Sequence, residues 1–187
     1  MSVSFGSSEK QFSGPLYDGN SVRQEFVAEF DKLISVDIYF ATYKRVNKGF
    51  CHVAIYDNFN NKLCSVKFDI ERLEDNSYRN VVLDIGLTVG TKYQLRLWTE
   101  NCRCGLAPTL TFGKATKDGY LFWGSSVKPK RALTCIFNYD SPATVYNTID
   151  MDISATCIAG LVSIVIPHFN CSDLLQQTLA SIANQTY

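Results

Sequence analysis

Ile34-Ser35-Val36-Asp37-Ile38-Tyr39-Phe40 places an apolar residue at every second position, with Ser35 and Asp37 between them. Consecutive side chains of a β-strand point to opposite faces, so this alternation marks a strand with one face in a core. The same period runs outward from it in both directions. Upstream, Phe26, Ala28 and Phe30 share a face. Downstream come Cys51, Val53 and Ile55, then Cys64, Val66, Phe68 and Ile70, then Val81, Leu83 and Ile85. Tyr93, Leu95 and Leu97 follow, and Leu133, Cys135, Phe137 and Tyr139 close the series. Turn-forming breaks separate them at Asn47-Lys48-Gly49, at Asp57 to Asn61, at Glu74 to Ser77 and at Gly90. About eight short strands, each with one apolar face, predict an antiparallel β-sandwich of jelly-roll type over residues 1–140. Each buried side chain of this kind contributes roughly 1.5–3 kcal/mol, enough in sum for a core that stands alone.

The faces turned away from the core are where a binding function would sit. Opposite the core face of the strand around Val36 lie Asp37, Tyr39, Ala41 and Tyr43; around Leu95 lie Gln94, Arg96 and Trp98; around Val53 lie His52 and Tyr56. Aromatic rings beside hydrogen-bonding side chains suit a pyranose, which offers a C–H face and a rim of hydroxyls. Tyr39, Tyr43, Tyr56 and Trp98 are therefore the candidate glycan contacts. The structural alternative is that these rings are half-buried under loops or against a following domain. Trp123, in Tyr120-Leu121-Phe122-Trp123-Gly124, reads as core or domain-interface packing.

Composition narrows the function classes. With 46% hydrophobic and 19% charged residues, the chain has the makings of a real core and not of a disordered tail. Its 18 basic and 18 acidic residues balance, and Lys128-Pro129-Lys130-Arg131 is too short a basic run to expect nucleic acid as a partner. The polar stretch Met1 to Gln11 lacks the apolar centre of a signal peptide, and no run of about 18 apolar residues suggests a transmembrane segment. These features predict a cytoplasmic protein, with a peripheral station on the inner face of the cell membrane as the extension of that reading. In a reducing compartment the seven cysteines are thiols, with Cys51, Cys64 and Cys135 acting as small hydrophobes. Cys102-Arg103-Cys104 is spaced more tightly than a zinc knuckle and has no second pair nearby, so no metal is expected in this chain.

Beyond residue 140 the pattern changes. Residues 141–160, with Ser141-Pro142 and many small residues, read as a linker. Leu161-Val162-Ser163-Ile164-Val165-Ile166 is almost wholly apolar, as a parallel strand buried on both faces must be, and Pro167 ends it. Ser172 and Asp173 offer N-cap chemistry to a helix on which Leu174, Leu175, Thr178, Leu179 and Ile182 recur at helical spacing. Strand, loop and helix make half a βαβ unit.

Val162 to Pro167, Phe169-Asn170, Ser181-Ile182 and Asn184-Gln185-Thr186-Tyr187 together resemble the opening of bacterial family 2 glycosyltransferases. The resemblance implies a Rossmann-like nucleotide-sugar-binding domain of which residues 161–187 are the truncated start. It places Pro167, Phe169 and Asn170 at the donor-nucleotide pocket, beyond the C-terminal end of the first strand. It also implies a nucleotide-sugar donor, a glycan or lipid-linked acceptor, and Mg or Mn held by a later Asp-x-Asp pair, with an acidic general base. None of those later residues follows Tyr187. Asp150-Met151-Asp152 precedes the first strand and reads as linker. The expectation is a catalytically inert N-terminal piece of such an enzyme, with no catalytic residue of its own and with self-association through the exposed strand 161–166 open to it. The stretch Asp37 to Tyr43 is similar to accessory sandwiches that precede some of these catalytic domains, which would raise the local concentration of acceptor. A non-enzymatic carbohydrate-binding module is the alternative, and a purely structural or oligomerisation domain is a third.

Overall fold

The structure, a computed structural model, describes residues 1–7 and 12–140. The expected linker 141–160, the expected strand and helix of 161–187, and Pro167, Phe169 and Asn170 lie outside the described residues. The chain divides into two units, Met1–Val145 and Tyr146–Tyr187, and the architecture below belongs to the first.

Thirteen strands are described: β1 (Ser2–Phe5), β2 (Phe12–Pro15), β3 (Ser21–Val27), β4 (Lys32–Ala41), β5 (Phe50–Tyr56), β6 (Lys62–Asp69), β7 (Ser77–Gly86), β8 (Lys92–Glu100), β9 (Thr109–Lys114), β10 (Leu121–Trp123), β11 (Ser126–Lys128), β12 (Arg131–Leu133) and β13 (Cys135–Tyr139). They form two sheets with antiparallel pairing throughout. One runs β1-β13-β4-β9-β12, with β7 added on β4 and β2 on β9; the other runs β11-β10-β3-β8-β5-β6. The sheets share one core, as the expected antiparallel sandwich requires.

Aromatic rings bridge the two layers. Phe26 on β3 meets Phe137 on β13 at a ring-centroid distance of 4.5 Å, and Phe5 on β1, beside Phe137 in the same sheet at 4.8 Å, meets Phe26 edge-on at 6.4 Å. Phe40 on β4 faces Phe68 on β6 edge-on, and Trp123 on β10 packs edge-on against Phe112 on β9 at 5.2 Å. Trp123 is thus a packing residue between the sheets, as its sequence context suggested. The buried amide of Gln24 on β3 makes a polar link of the same kind. Its Oε1 accepts the Leu133 N–H of β12 at 2.9 Å, while its Nε2 donates to the Glu25 carbonyl at 2.8 Å.

The period-two pattern holds along β3, β5 and β8, where Val22, Phe26, Cys51, Val53, Ile55, Tyr93, Leu95 and Leu97 are all buried. Burial pushes the Cys51 and Cys135 thiols far above their ordinary pKa, which keeps them protonated and hydrophobic. On β4 the alternation slips. Pairing with β7 jumps from Leu33↔Ile85 to Ser35↔Val82, a bulge that turns Ile34 outward and puts Leu33 in the core position that alternation assigned to Ile34. Strand β9 shows no alternation at all, because Thr109 to Gly113 are buried on both faces. At Gly113 an added Cβ would stand 2.4 Å from the Ser7 carbonyl oxygen, so only glycine lets the segment after β1 cross here. Among the described residues, no helix is long and apolar enough to cross a membrane.

Phe137 has no exposed surface and touches rings from β1, β3 and its own strand. Phe137→Ala is expected to cost about 3–5 kcal/mol of stability, read as a lower urea midpoint at unchanged slope. A loss under about 1 kcal/mol would mean that this cluster is not the joint between the layers.

Candidate functional site

Once β3, β5 and β8 turn their apolar residues inward, the intervening residues of the six-stranded sheet line up in rungs on its outer face. Pairing sets the rungs: His52, Trp98 and Ser21 in the first; Ala54, Arg96, Arg23 and Phe122 in the second; Tyr56, Gln94 and Glu25 in the third. Phe122 joins because β10 pairs with β3.

Each ring of this face is held by a neighbour. His52 and Trp98 stack in parallel, with centroids 5.0 Å apart and planes 3° from coincidence. His52 on β5 thus covers one face of the indole, while Ser21, the residue opposite Trp98 on β3, lines the same cleft as Trp98. The Arg96 guanidinium lies 4.0 Å from the Tyr56 ring centroid, and the Arg23 guanidinium 3.6 Å from that of Phe122. Arg96 is further fixed by Gln94, whose Oε1 accepts from Nε at 3.0 Å, and by Asn60 Oδ1. Burial lowers the pKa of Arg96; the Tyr56 phenol opposes that, and the charge of Arg23 adds to it. Ala54, on the outer face, has no exposed surface, so the side chains around it close into a layer. Between β3, β8 and β10 this layer leaves a cleft of about 470 Å³, lined by Ser21, Arg23, Tyr56, Arg96, Trp98 and Phe122 among others.

A second anchor lies at the edge of the face. Glu100 Oε2 accepts from Lys67 Nζ and bonds His52 Nε2, both at 2.8 Å. The hydrogen bond from Lys67, then that from His52, holds the Glu100 carboxyl below its usual range. Through His52 this carboxylate orients the stack on Trp98.

Of the four candidate glycan contacts, the structure brings Tyr56 and Trp98 to one cleft and leaves Tyr39 and Tyr43 on the other sheet and its loop. Tyr39 is buried, edge-on to Tyr78 at 5.1 Å, with its hydroxyl bonded to Asn76. Tyr43 lies past the end of β4, 58% exposed and at φ 53°, with Arg45 over its ring. Before Tyr39 on the same strand lies a polar ladder: Asp37 accepts from Asn80 at 2.6 Å and from Asn138 at 2.8 Å, and both amides also reach Ser35. Arg23 and Phe122 were not anticipated. Arg23 alternates with Val22 and Gln24 as an outward residue must, but its partner Phe122 sits in a strand of three residues that carries no period. Among the described residues, no group of three or more His, Cys, Asp or Glu side chains is placed to hold a metal ion.

No protein-family model and no curated protein matches the chain. Among solved structures, it is similar to a chain described as the structure of infectious bursal disease virus Gt strain, at 11% identity and a TM-score of 0.31. The alignment covers 98% of this chain and 50% of that one, so the chain spans half the neighbour's length. A likeness this distant carries no argument about function.

Because the folded-state pKa of Glu100 is depressed, its bonds are fully present above the ordinary glutamate pKa and are lost as pH falls through the lowered value. With Trp123→Phe in the background, Trp98 fluorescence should change in a transition centred below about pH 4.3. Glu100→Gln should abolish that transition. A transition that persists in Glu100→Gln would show that the carboxylate does not position the stack.

Proposed function

We propose that residues 1–140 form a glycan-binding module, of jelly-roll lineage, whose contact surface is the outer face of the six-stranded sheet. We further propose that it is the accessory domain of a family 2 glycosyltransferase whose nucleotide-sugar-binding domain opens at Leu161. The observation that carries the first statement is the cleft in which Trp98, Tyr56 and Phe122 stand beside Arg23, Arg96 and Ser21. Trp98, where it lines the cleft, suits the C–H face of a pyranose, and the guanidinium and hydroxyl groups around it suit the hydroxyl rim. Stacked, ion-held rings lose little freedom on binding, which favours a contact made without rearrangement.

The second statement rests on the resemblance of residues 162–187 alone. In that reading the complete enzyme, in the cytoplasm, transfers sugar from a nucleotide-diphosphate donor to a glycan or lipid-linked acceptor with Mg or Mn, and the sandwich keeps acceptor close. It requires the reading frame beyond codon 187 to encode a second parallel strand, its carboxylate and an Asp-x-Asp pair. A stop codon there would leave the non-enzymatic module as the reading.

Calorimetric titration of the 187-residue chain with an oligosaccharide panel tests the module itself. Trp98→Ala should weaken binding at least about tenfold, as loss of a central aromatic contact does. Tyr43→Ala, on the loop beyond β4, should leave it unchanged. Equal loss in both variants, or none in Trp98→Ala, would remove the cleft from the interaction.

A further inference from the structure

The aromatic cleft carries two guanidinium groups that are held by no salt bridge among the described residues. Arg23 and Arg96 are directly opposed across the β3–β8 pair, a position where like charges repel. Among the described residues neither forms an ion pair. Arg96 is bonded to neutral carboxamides, and Arg23 Nε is buried with no acceptor among the described residues. A buried guanidinium nitrogen left without an acceptor is costly.

The charge continues past the cleft. Glu25 follows Arg23 on the same face of β3 and lines a second, larger cleft of about 820 Å³, where the segment after β9 crosses to β10. Lys92, Lys114, Lys117 and Lys130 line it, with Glu25 and Asp118 as the opposing carboxylates. Lys117 is engaged by Glu29 at 2.9 Å, whereas Lys92, Lys114 and Lys130 make no ion pair among the described residues. Tyr120, in the second cleft, contacts Phe122, in the first, with centroids 6.5 Å apart, so the two are joined by an aromatic step. In a chain whose formal charges cancel, two arginines and four lysines along one path are a local arrangement and not a reflection of composition.

We infer that the ligand of this face is an acidic glycan, a chain bearing uronate or other anionic substituents, which runs from Trp98 past the Arg23–Arg96 pair into the lysine cleft. The inference rests on the glycan reading given above and specifies its ligand class. An arginine guanidinium donates two parallel N–H bonds to a planar carboxylate, and the lysines act as point charges that follow an extended anionic chain. Rings supply stacking on the sugar; the cations select for its charge.

The test uses the full chain and three probes of similar length: a galacturonate oligomer, a neutral glucan oligomer and poly-glutamate. The galacturonate oligomer should bind at least about tenfold tighter than the glucan, and its affinity should fall as salt rises through about 0.1 M and beyond. The triple variant Lys92→Gln, Lys114→Gln, Lys130→Gln, at surface positions, should lose about tenfold for galacturonate and nothing for the glucan. Arg23→Gln should lose more for galacturonate than for the glucan, with an unfolding midpoint no lower than that of the parent chain showing that the fold is intact. Equal affinity for both sugars, or indifference of galacturonate to these variants, overturns the acidic-ligand inference and leaves the glycan reading standing. Binding of neither sugar overturns the glycan reading and the inference with it. Poly-glutamate bound as tightly as galacturonate, with no dependence on Trp98, overturns the sugar component and shows a plain polyanion groove.

Discussion

A β-strand can give only every second side chain to a core, and the six-stranded sheet depends on that constraint. Val22, Phe26, Val53, Ile55, Leu95 and Leu97 go inward to meet Phe5, Phe40 and Phe137 from the facing sheet. Their neighbours Arg23, Tyr56, Arg96 and Trp98 are then committed to the outer face, at the spacing of paired strands. The core therefore sets the geometry of the cleft. Nothing in it hangs on a long loop: Arg23, Tyr56, Arg96 and Trp98 sit on interior strands of the sheet, and β10 brings Phe122 against them by pairing with β3. Gln24 and Trp123 tie this sheet to the other from within, so the platform under the cleft is fixed on its inner side as well.

The two outer faces use the same freedom differently. On the seven-stranded sheet, Asp37, Asn80, Asn138 and Ser35 satisfy one another's hydrogen bonds, and Tyr39 is closed off by Tyr78 and Asn76. On the six-stranded sheet Tyr56 and Phe122 are paired with Arg96 and Arg23, and among the described residues neither guanidinium has an anionic partner. Satisfied polar ladders are a stable end state, whereas a guanidinium without an anion gains when one arrives. The difference between the faces is thus one of unfilled bonding capacity.

Much of this was legible in residue order alone. Alternation located β4 to β8 and β13, assigned Tyr56, Gln94, Arg96, Trp98 and His52 to an outward face, and marked Cys51, Cys64 and Cys135 as apolar; it met β3 only at its end, because the expected run Phe26 to Phe30 continues past Val27, where that strand stops. Where it failed, a physical cause can be named. The bulge at Ile34 shifts the strand's phase by one residue, and no local pattern announces it. Strand β9 is buried on both faces, and β10 to β12 have three residues each, too few to show a period. Neighbour order across a sheet is non-local, so nothing in the order of residues could show that Arg23 would oppose Arg96, that Phe122 would join Arg23, or that Tyr39 and Trp98 would part company on different sheets.

The most direct test of the glycan face is residue-resolved mapping by amide chemical shifts, with the isotopically labelled chain titrated with an acidic oligosaccharide. Perturbations should gather on β3, β5, β8 and β10 around Arg23, Tyr56, Trp98 and Phe122, and extend toward Lys114 and Tyr120. Perturbations centred on Tyr39, Tyr43 and the polar ladder of the other sheet, or a spectrum that does not respond, would contradict the assignment of this face as the binding surface.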